Sequence, residues 1–134
     1  MSEAARDVIE KIKRLKSMGD LDPAFFAEEG GEADRLAQEF KGKLNPAQLR
    51  KIFGALKQID RIVKADPDEK ILSRSTINRL IPELAYALGR KLIPREFYEL
   101  TSLSLSQSKL QTVRDFRRLM EFLTALVAYQ KLRG

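Results

Sequence analysis

Apolar side chains recur every three or four residues through most of this 134-residue chain, and that spacing constrains its fold more than any other feature. This period places the apolar residues on one face of an α-helix, whereas a half-buried strand alternates every second residue. Asn45 followed by Pro46 supplies an N-cap and a proline that fits the first helical turn. We therefore predict an all-α, single-domain bundle of about five to six helices, with long helices near 45–65, 75–91 and 108–131.

Three features refine that helical prediction. Pro82 lies in the middle of the second long pattern, and we expect a kink there rather than an interruption, because Ile81 is a poor N-cap for a new helix. Ser108 and Gln111 match a capping box, which predicts the start of the last helix. The Ser/Leu run at 102–108 alternates like a strand, but a single strand has no partner in this chain, so a loop or a helix N-terminus is expected.

The composition argues against an enzyme. The chain has no cysteine and no histidine, so it contains no disulfide, no thiolate nucleophile and no imidazole base or zinc ligand. It also lacks the glycine-rich phosphate loops and the HExxH and GxSxG motifs. Glu28, Glu29, Glu32 and Asp34 stand in a glycine-interrupted acidic stretch, which we interpret as a solvated surface rather than a magnesium site. Neither a cofactor nor a bound metal is expected.

The net charge of +6 is unevenly distributed along the chain. Residues 21–42 carry six acidic and two basic side chains, whereas residues 43–134 carry an excess of basic ones. This pattern indicates a basic body with an acidic appendage, and a basic body favours polyanionic partners. No apolar run is long enough to span a membrane and no signal-peptide pattern begins the chain, so we expect a soluble, cytoplasmic protein.

A basic stripe runs beside the apolar face of the helix predicted near 45–65. At about 100° per residue its members fall within an arc of about 80°. They are Arg50, Gly54, Lys57, Arg61 and Lys64. A glycine inside a helix costs about 1 kcal/mol relative to alanine, and close approach of another molecule, such as a phosphodiester backbone, would explain it. A solvated face with an incidental glycine is the alternative interpretation.

Two other predicted helices carry basic side chains on their polar faces. Arg79, Glu83, Tyr86 and Arg90 share the polar side of the helix near 75–91, where a tyrosine between guanidinium groups can stack on a base or a sugar. A tyrosine packed against its own bundle is the alternative. Arg114 and Arg118 share a face of the last helix. These residues and the basic stripe are our candidates for nucleic-acid binding.

Three segments resemble the small subunit of the type III-A CRISPR effector, the Csm complex. They are LNPAQLRKI at 44–52, YALGR at 86–90 and FRRLMEFLTALVAYQK at 116–131, and their order and separations fit that family. Asn45-Pro46 stands where the family usually has Ser or Thr, and Gln130 where it often has histidine. Residues 44–134 thus form a family-like core, and residues 1–43 are interpreted as variable N-terminal helices of the same domain.

The resemblance implies a non-catalytic, all-helical RNA-binding subunit that contacts the backbone of guide RNA and target RNA without reading their sequence. It also implies partners: the other subunits of the Csm complex, and further copies of this chain associated along the RNA, with no membrane contact. Among the candidate site residues, Arg50 and Arg90 lie within matched segments. A helical protein–protein adaptor without direct RNA contact is the alternative function, and the type III-B small subunit is a near relative.

Overall fold

A computed structural model describes residues 3–134 of the chain, which form six α-helices. These are α1 (Glu3–Arg14), α2 (Glu32–Glu39), α3 (Pro46–Val63), α4 (Ser75–Gly89), α5 (Arg95–Leu105) and α6 (Val113–Arg133). Two 3₁₀ turns, Met18–Asp20 and Pro23–Phe25, lie between α1 and α2. A single antiparallel bridge between Ile71 and Thr112 is the one strand-like pairing within 3–134. The prediction of an all-α bundle is confirmed.

The starts of the helices follow from side-chain caps. Asn45 Oδ1 accepts a hydrogen bond from the Gln48 N–H at 3.0 Å, with Pro46 in the first turn of α3. Asp22 caps the second 3₁₀ turn through its own carboxylate. The predicted N-cap at Asn45 is therefore confirmed. α4 continues through Pro82 without interruption, as the sequence led us to expect, and the kink expected there stays a prediction.

The last helix begins at Val113, so the capping box predicted from Ser108 and Gln111 is wrong. Thr112 is the N-cap instead. Its Oγ1 accepts a hydrogen bond from the Asp115 N–H at 3.3 Å, and its own N–H donates to Asp115 Oδ2 at 3.1 Å. This reciprocal pair satisfies two backbone donors at the start of α6, and the preceding residues pair with other segments of the chain.

The Ser/Leu run forms the end of α5, and the expectation of a loop or a helix N-terminus is wrong over most of it. α5 extends to Leu105. Ser104 is buried and donates its hydroxyl to the Leu100 carbonyl at 2.8 Å, which satisfies it within the helix. Serine hydroxyls can bond back to the preceding turn in this way, so alternation of serine and leucine does not exclude a helix.

One hydrophobic core contains residues from all six helices. Two edge-to-face aromatic pairs tie distant segments together within it. Phe26, from the loop before α2, packs on Phe122 of α6 with ring centroids 5.3 Å apart. Phe40 packs on Phe97 of α5 at 6.0 Å. Both pairs join the first 43 residues to the later helices, so the N-terminal region is integral to the bundle.

The acidic stretch belongs to this bundle, and the interpretation of it as an appendage is wrong. α2 packs along α6 and contributes three core side chains, Ala33, Leu36 and Ala37, and Phe40 of the following turn joins them. Asp34 is fully buried and accepts hydrogen bonds from Arg133 Nε at 2.8 Å and Nη2 at 2.6 Å. The Arg133 guanidinium holds the pKa of Asp34 well below its usual range. Asp34 is therefore not a solvated side chain, since it is buried. An arginine at the end of α6 neutralises its charge.

Candidate nucleic-acid interface

The basic stripe lies on the open face of α3. All five of its residues are exposed, and none of its four cations has an acidic partner within salt-bridge distance among residues 3–134. Arg61 donates to Gln58 Oε1 at 3.2 Å, and the Lys57 ammonium lies 5.6 Å from the centre of the Phe53 ring. Both contacts stay within α3 and involve uncharged partners, so no cation of the stripe is held in an ion pair by the described residues.

Gly54 leaves the backbone of the stripe open. A Cβ atom built at this position would meet no atom within 4 Å outside its own helix turn and neighbours. Packing within the chain therefore does not require a glycine here, although glycine lowers helix stability by about 1 kcal/mol relative to alanine. The opening beside Arg50, Lys57 and Arg61 has room for another molecule.

α6 runs antiparallel to α3 and borders the stripe along one side. Arg117, near the start of α6, donates to the Val63 carbonyl at 3.1 Å and the Asp66 carbonyl at 2.7 Å, at the end of α3. At the other end of the pair, Arg50 of α3 and Lys131 of α6 line the same cleft. The charge of the stripe therefore extends onto α6 at this end, through Lys131.

A groove of about 630 Å³ lies between α3 and α6 nearer the start of α6. Lys57 and Arg117 line it together with Asp60 and Glu121. Two acidic side chains thus offset two basic ones within the groove. Its charge therefore does not favour a polyanion.

The α4 candidates are also exposed. Tyr86 has 67% of its surface accessible, and the Arg90 guanidinium lies 5.8 Å from the centre of its ring. Arg79 donates to Thr76 Oγ1 at 3.3 Å and has no acidic partner among the described side chains. Packing against its own bundle does not account for Tyr86. An exposed ring beside an arginine can stack on a base or a sugar.

Arg114 and Arg118 differ from the other candidates because both have partners within the chain. Arg114 Nη2 lies 3.0 Å from Asp20 Oδ1. Arg118 is only partly exposed and donates to the Gly19 carbonyl at 3.3 Å and to the Leu21 carbonyl. These two arginines hold the first 3₁₀ turn against α6. That turn lies far from α6 in sequence, so helical periodicity cannot indicate these contacts.

Sequence reasoning missed the buried carboxylate that completes this attachment. Asp115 accepts hydrogen bonds from the Gly19 N–H at 2.9 Å, the Gln111 N–H at 3.0 Å and the Thr112 N–H at 3.1 Å. Burial alone would raise the pKa of Asp115, but these bonds and one from Ser17 outweigh it, so the pKa lies below its ordinary value. The sequence signal for it was the spacing of Thr112 and Asp115, three residues apart, which is typical of a capping box.

Two further observations concern the described residues as a whole. No helix within 3–134 is both long enough and apolar enough to cross a membrane. The same residues contain no group of three or more acidic side chains placed to hold a metal ion.

A comparison with known protein families shows to which family this chain belongs. The Csm2 Type III-A family model matches residues 27–134, which is most of the chain. The chain belongs to the Csm2 Type III-A family. It is therefore a small subunit of the CRISPR type III-A effector, the Csm complex, and it interacts with other subunits of that complex. Comparisons with curated proteins and with solved structures gave no match.

The family match begins earlier than the core expected from the sequence at residue 44, and it includes all of α2. All ten candidate site residues lie within it. α1 and both 3₁₀ turns precede it. The turn that Arg114 and Arg118 hold against α6 thus lies outside the region that matches the Csm2 family.

Proposed function

We propose that this Csm subunit is a non-catalytic RNA-binding protein that holds the backbone of guide RNA and target RNA without reading base sequence. The observation that supports this function best is the exposed basic stripe with an open glycine at its centre. Contacts to phosphates fix the position of a nucleic acid but carry no sequence information. The α4 face, with Arg79, Tyr86 and Arg90, supplies the second part of the proposed surface.

The dimensions of the stripe suit a phosphate backbone. Its members are three or four residues apart, which corresponds to about 5 to 6 Å along the helix axis. From Arg50 to Lys64 the stripe is about 20 Å long. A strand with the axial rise of B-form DNA, about 3.4 Å per nucleotide, would pass about six nucleotides over that length, and A-form RNA, which rises less per nucleotide, would pass slightly more. Four cations over this distance can neutralise a substantial share of the phosphates.

A single copy makes few such contacts, so we expect weak binding by the isolated subunit. Several copies aligned on one RNA would raise the effective affinity without any new kind of contact, because each later binding event becomes intramolecular. This is the reason for proposing self-association along the RNA. Binding should depend little on base sequence and should weaken as salt rises.

The test is a triple charge reversal of the stripe, Arg50→Glu, Lys57→Glu and Arg61→Glu, in the assembled complex. Each change removes a phosphate contact and adds a repulsion, so target-RNA affinity should fall sharply while the free energy of unfolding changes by no more than about 0.5 kcal/mol per site. The control is neutralisation of Glu28 and Glu29 to glutamine, which should leave RNA affinity unchanged.

If the stripe variant binds target RNA as well as the parent, the stripe is a solvated face and the proposal is wrong. Gly54→Ala is the finer probe. It should raise the free energy of unfolding by up to about 1 kcal/mol, because alanine has the higher helix propensity and the structure shows space for its methyl group. It should also weaken RNA binding if close approach of the backbone is the purpose of the glycine.

The non-catalytic role has its own test. The purified subunit should leave RNA intact in the presence of magnesium or manganese, since the chain contains no histidine or cysteine. RNA products analysed on denaturing gels would measure this. Metal-dependent cleavage that disappears when one carboxylate is changed, with the fold preserved, would contradict the proposal.

A further inference from the structure

A second basic cleft, of about 490 Å³, lies where the end of α6 meets the turn before α3 and the turn after α4. Four cationic side chains line it, and no Asp or Glu side chain of the described residues does: Lys41, Lys43, Lys91 and Arg133. Arg133 is neutralised by Asp34. The three lysines therefore leave the cleft positive.

Two hydrogen bonds bring the lysine-bearing turns together. The Asn45 N–H donates to the Leu92 carbonyl at 3.0 Å, which ties the start of α3 to the turn after α4. Gln130 Nε2 donates to the Leu44 carbonyl at 3.1 Å, which ties the same segment to α6. The positions of the lysines relative to one another are thus set by hydrogen bonds to the main chain of these turns, and not by contacts of the lysine side chains.

Lys91 occupies a backbone position that favours glycine. Its φ angle is +61°, in the left-handed region. The Leu92 N–H donates to the Ala87 carbonyl and the Lys91 N–H to the Leu88 carbonyl, which is the Schellman arrangement at the end of α4. Glycine adopts this conformation without cost, whereas lysine does not. No ion pair of Lys91 within residues 3–134 compensates, so termination of α4 does not explain the lysine.

The cleft is continuous with the end of the basic stripe. It shares Pro46, Gln130 and Gly134 with the adjoining cleft that Arg50 and Lys131 line. Arg50 is the first cation of the stripe. A polyanion that follows the stripe toward the start of α3 therefore reaches the three lysines next.

We infer that the phosphate backbone of a bound RNA continues past Arg50 into this cleft, where Lys41, Lys43 and Lys91 contact its phosphates. This inference rests on the proposed RNA-binding function and adds a subsite to it. The compact ammonium groups of three lysines suit successive phosphates, because each acts as a point charge without a fixed geometry. Continuity with the stripe favours an RNA strand over an acidic protein segment.

The test compares two triple variants in the assembled complex. The cleft variant is Lys41→Gln, Lys43→Gln and Lys91→Gln, and the control, on α1, is Arg6→Gln, Lys13→Gln and Arg14→Gln. Target-RNA affinity is measured from 50 to 300 mM salt. Because two or three phosphates would no longer be neutralised, the cleft variant should bind about 10- to 100-fold more weakly near 0.15 M salt, and the slope of log K against log salt should fall by about 2. The control should stay close to the parent.

Lys91→Gly separates loss of the cation from loss of the fold. Glycine suits the φ angle at this position, so the variant should melt no lower than the parent and still bind RNA more weakly. Amine acylation supplies a direct readout. Addition of target RNA should protect Lys41, Lys43 and Lys91 but not Lys13.

The outcomes distinguish this inference from the proposed function. If reversal of the stripe abolishes RNA binding but the cleft variant behaves like its control, the proposed function stands and the cleft is not an RNA subsite. If the stripe reversal has no effect, the proposed function fails, and the path past Arg50 fails with it. If the three lysines are already fully protected before target RNA is added, either a protein neighbour or the guide RNA fills the cleft. Omission of the guide RNA distinguishes these two occupants. Protection that persists without the guide RNA would come from a protein neighbour and would overturn the inference.

Discussion

The carboxylate of Asp115 is predicted to hold the N-terminal turn on the bundle, and Asp115→Ala tests this. The substitution removes three bonds from backbone N–H groups and one from Ser17, and the bond from the Gly19 N–H is the most costly because that donor is buried and water cannot replace the carboxylate. A buried donor left unsatisfied costs about 1 to 3 kcal/mol, and loss of the capping box at Thr112 adds about 1 kcal/mol. The Gln111 donor is on an exposed residue, so it can turn to water and adds little.

The expected loss for Asp115→Ala is therefore about 3 kcal/mol of the free energy of unfolding, or about 10 °C in the melting temperature of a chain of this size. Urea unfolding followed by far-ultraviolet circular dichroism measures the first quantity. Amide hydrogen exchange at Gly19 should also accelerate, since its acceptor is gone. Thr112→Ala is the matched control, because it removes only the Oγ1 cap bond and should cost about 1 kcal/mol. If Asp115→Ala costs no more than Thr112→Ala, the carboxylate does not hold the turn.

Two further predictions concern the same attachment and its pH dependence. Gly19→Ala should destabilise the bundle by about 1 to 3 kcal/mol in urea unfolding, because its Cβ would lie 2.8 Å from Oδ1 of the buried, hydrogen-bonded Asp115 carboxylate. The exposed Arg114 guanidinium, 2.5 Å from the same Cβ, can move aside. An unchanged midpoint would contradict the packing at Asp115. Asp34 and Asp115 both have lowered pKa values in the folded state, so their ionised carboxylates stabilise the fold at neutral pH. This contribution to the free energy of unfolding is lost as pH falls below about 4, because the carboxyls of the unfolded chain then take up protons. Melting temperatures between pH 7 and pH 3 should therefore fall more steeply for the parent than for Asp34→Asn, and parallel curves would refute this origin.

Local sequence signals were sufficient to predict the positions of most helices. The spacing of apolar residues and the Asn45-Pro46 pair place α3 correctly to within about two residues at each end. The information is local here, because an N-cap and the bonds it satisfies lie within one turn. The continuation of α4 through Pro82 also follows from a local signal, because the preceding residue, Ile81, is a poor N-cap for a new helix.

The start of α6 was not predictable from local signals, because two candidate caps stand four residues apart. Ser108 and Thr112 each precede a residue that can complete a capping box. Bonds from elsewhere decide between them: the Met18 N–H donates to the Lys109 carbonyl and the Leu72 N–H to the Gln111 carbonyl, which keeps these residues out of the helix. The choice depends on tertiary structure that the spacing of residues does not contain.

Some features of the candidate site also follow from local sequence signals, and others depend on tertiary structure. Exposure of the stripe follows from periodicity, since residues opposite the buried face of α3 must point outward. Engagement of Arg114 and Arg118 by the N-terminal turn does not, because the turn lies about a hundred residues away in sequence. The lysines of the cleft were missed for a related reason: Lys43 and Lys91 lie on turns, where no period marks a shared face.

The most direct test of the account is a photo-crosslink from the open face of α3 to RNA within the assembled complex. A photoreactive phenylalanine analogue replaces Gln58, which is exposed beside Arg61, and in a second preparation replaces Glu28, which is exposed in the acidic stretch. If the basic stripe holds the RNA backbone, irradiation should join position 58 to guide or target RNA and should leave position 28 without an RNA adduct. Crosslinks from position 58 to protein subunits alone would show that α3 is a protein-contact surface, and would contradict the central claim.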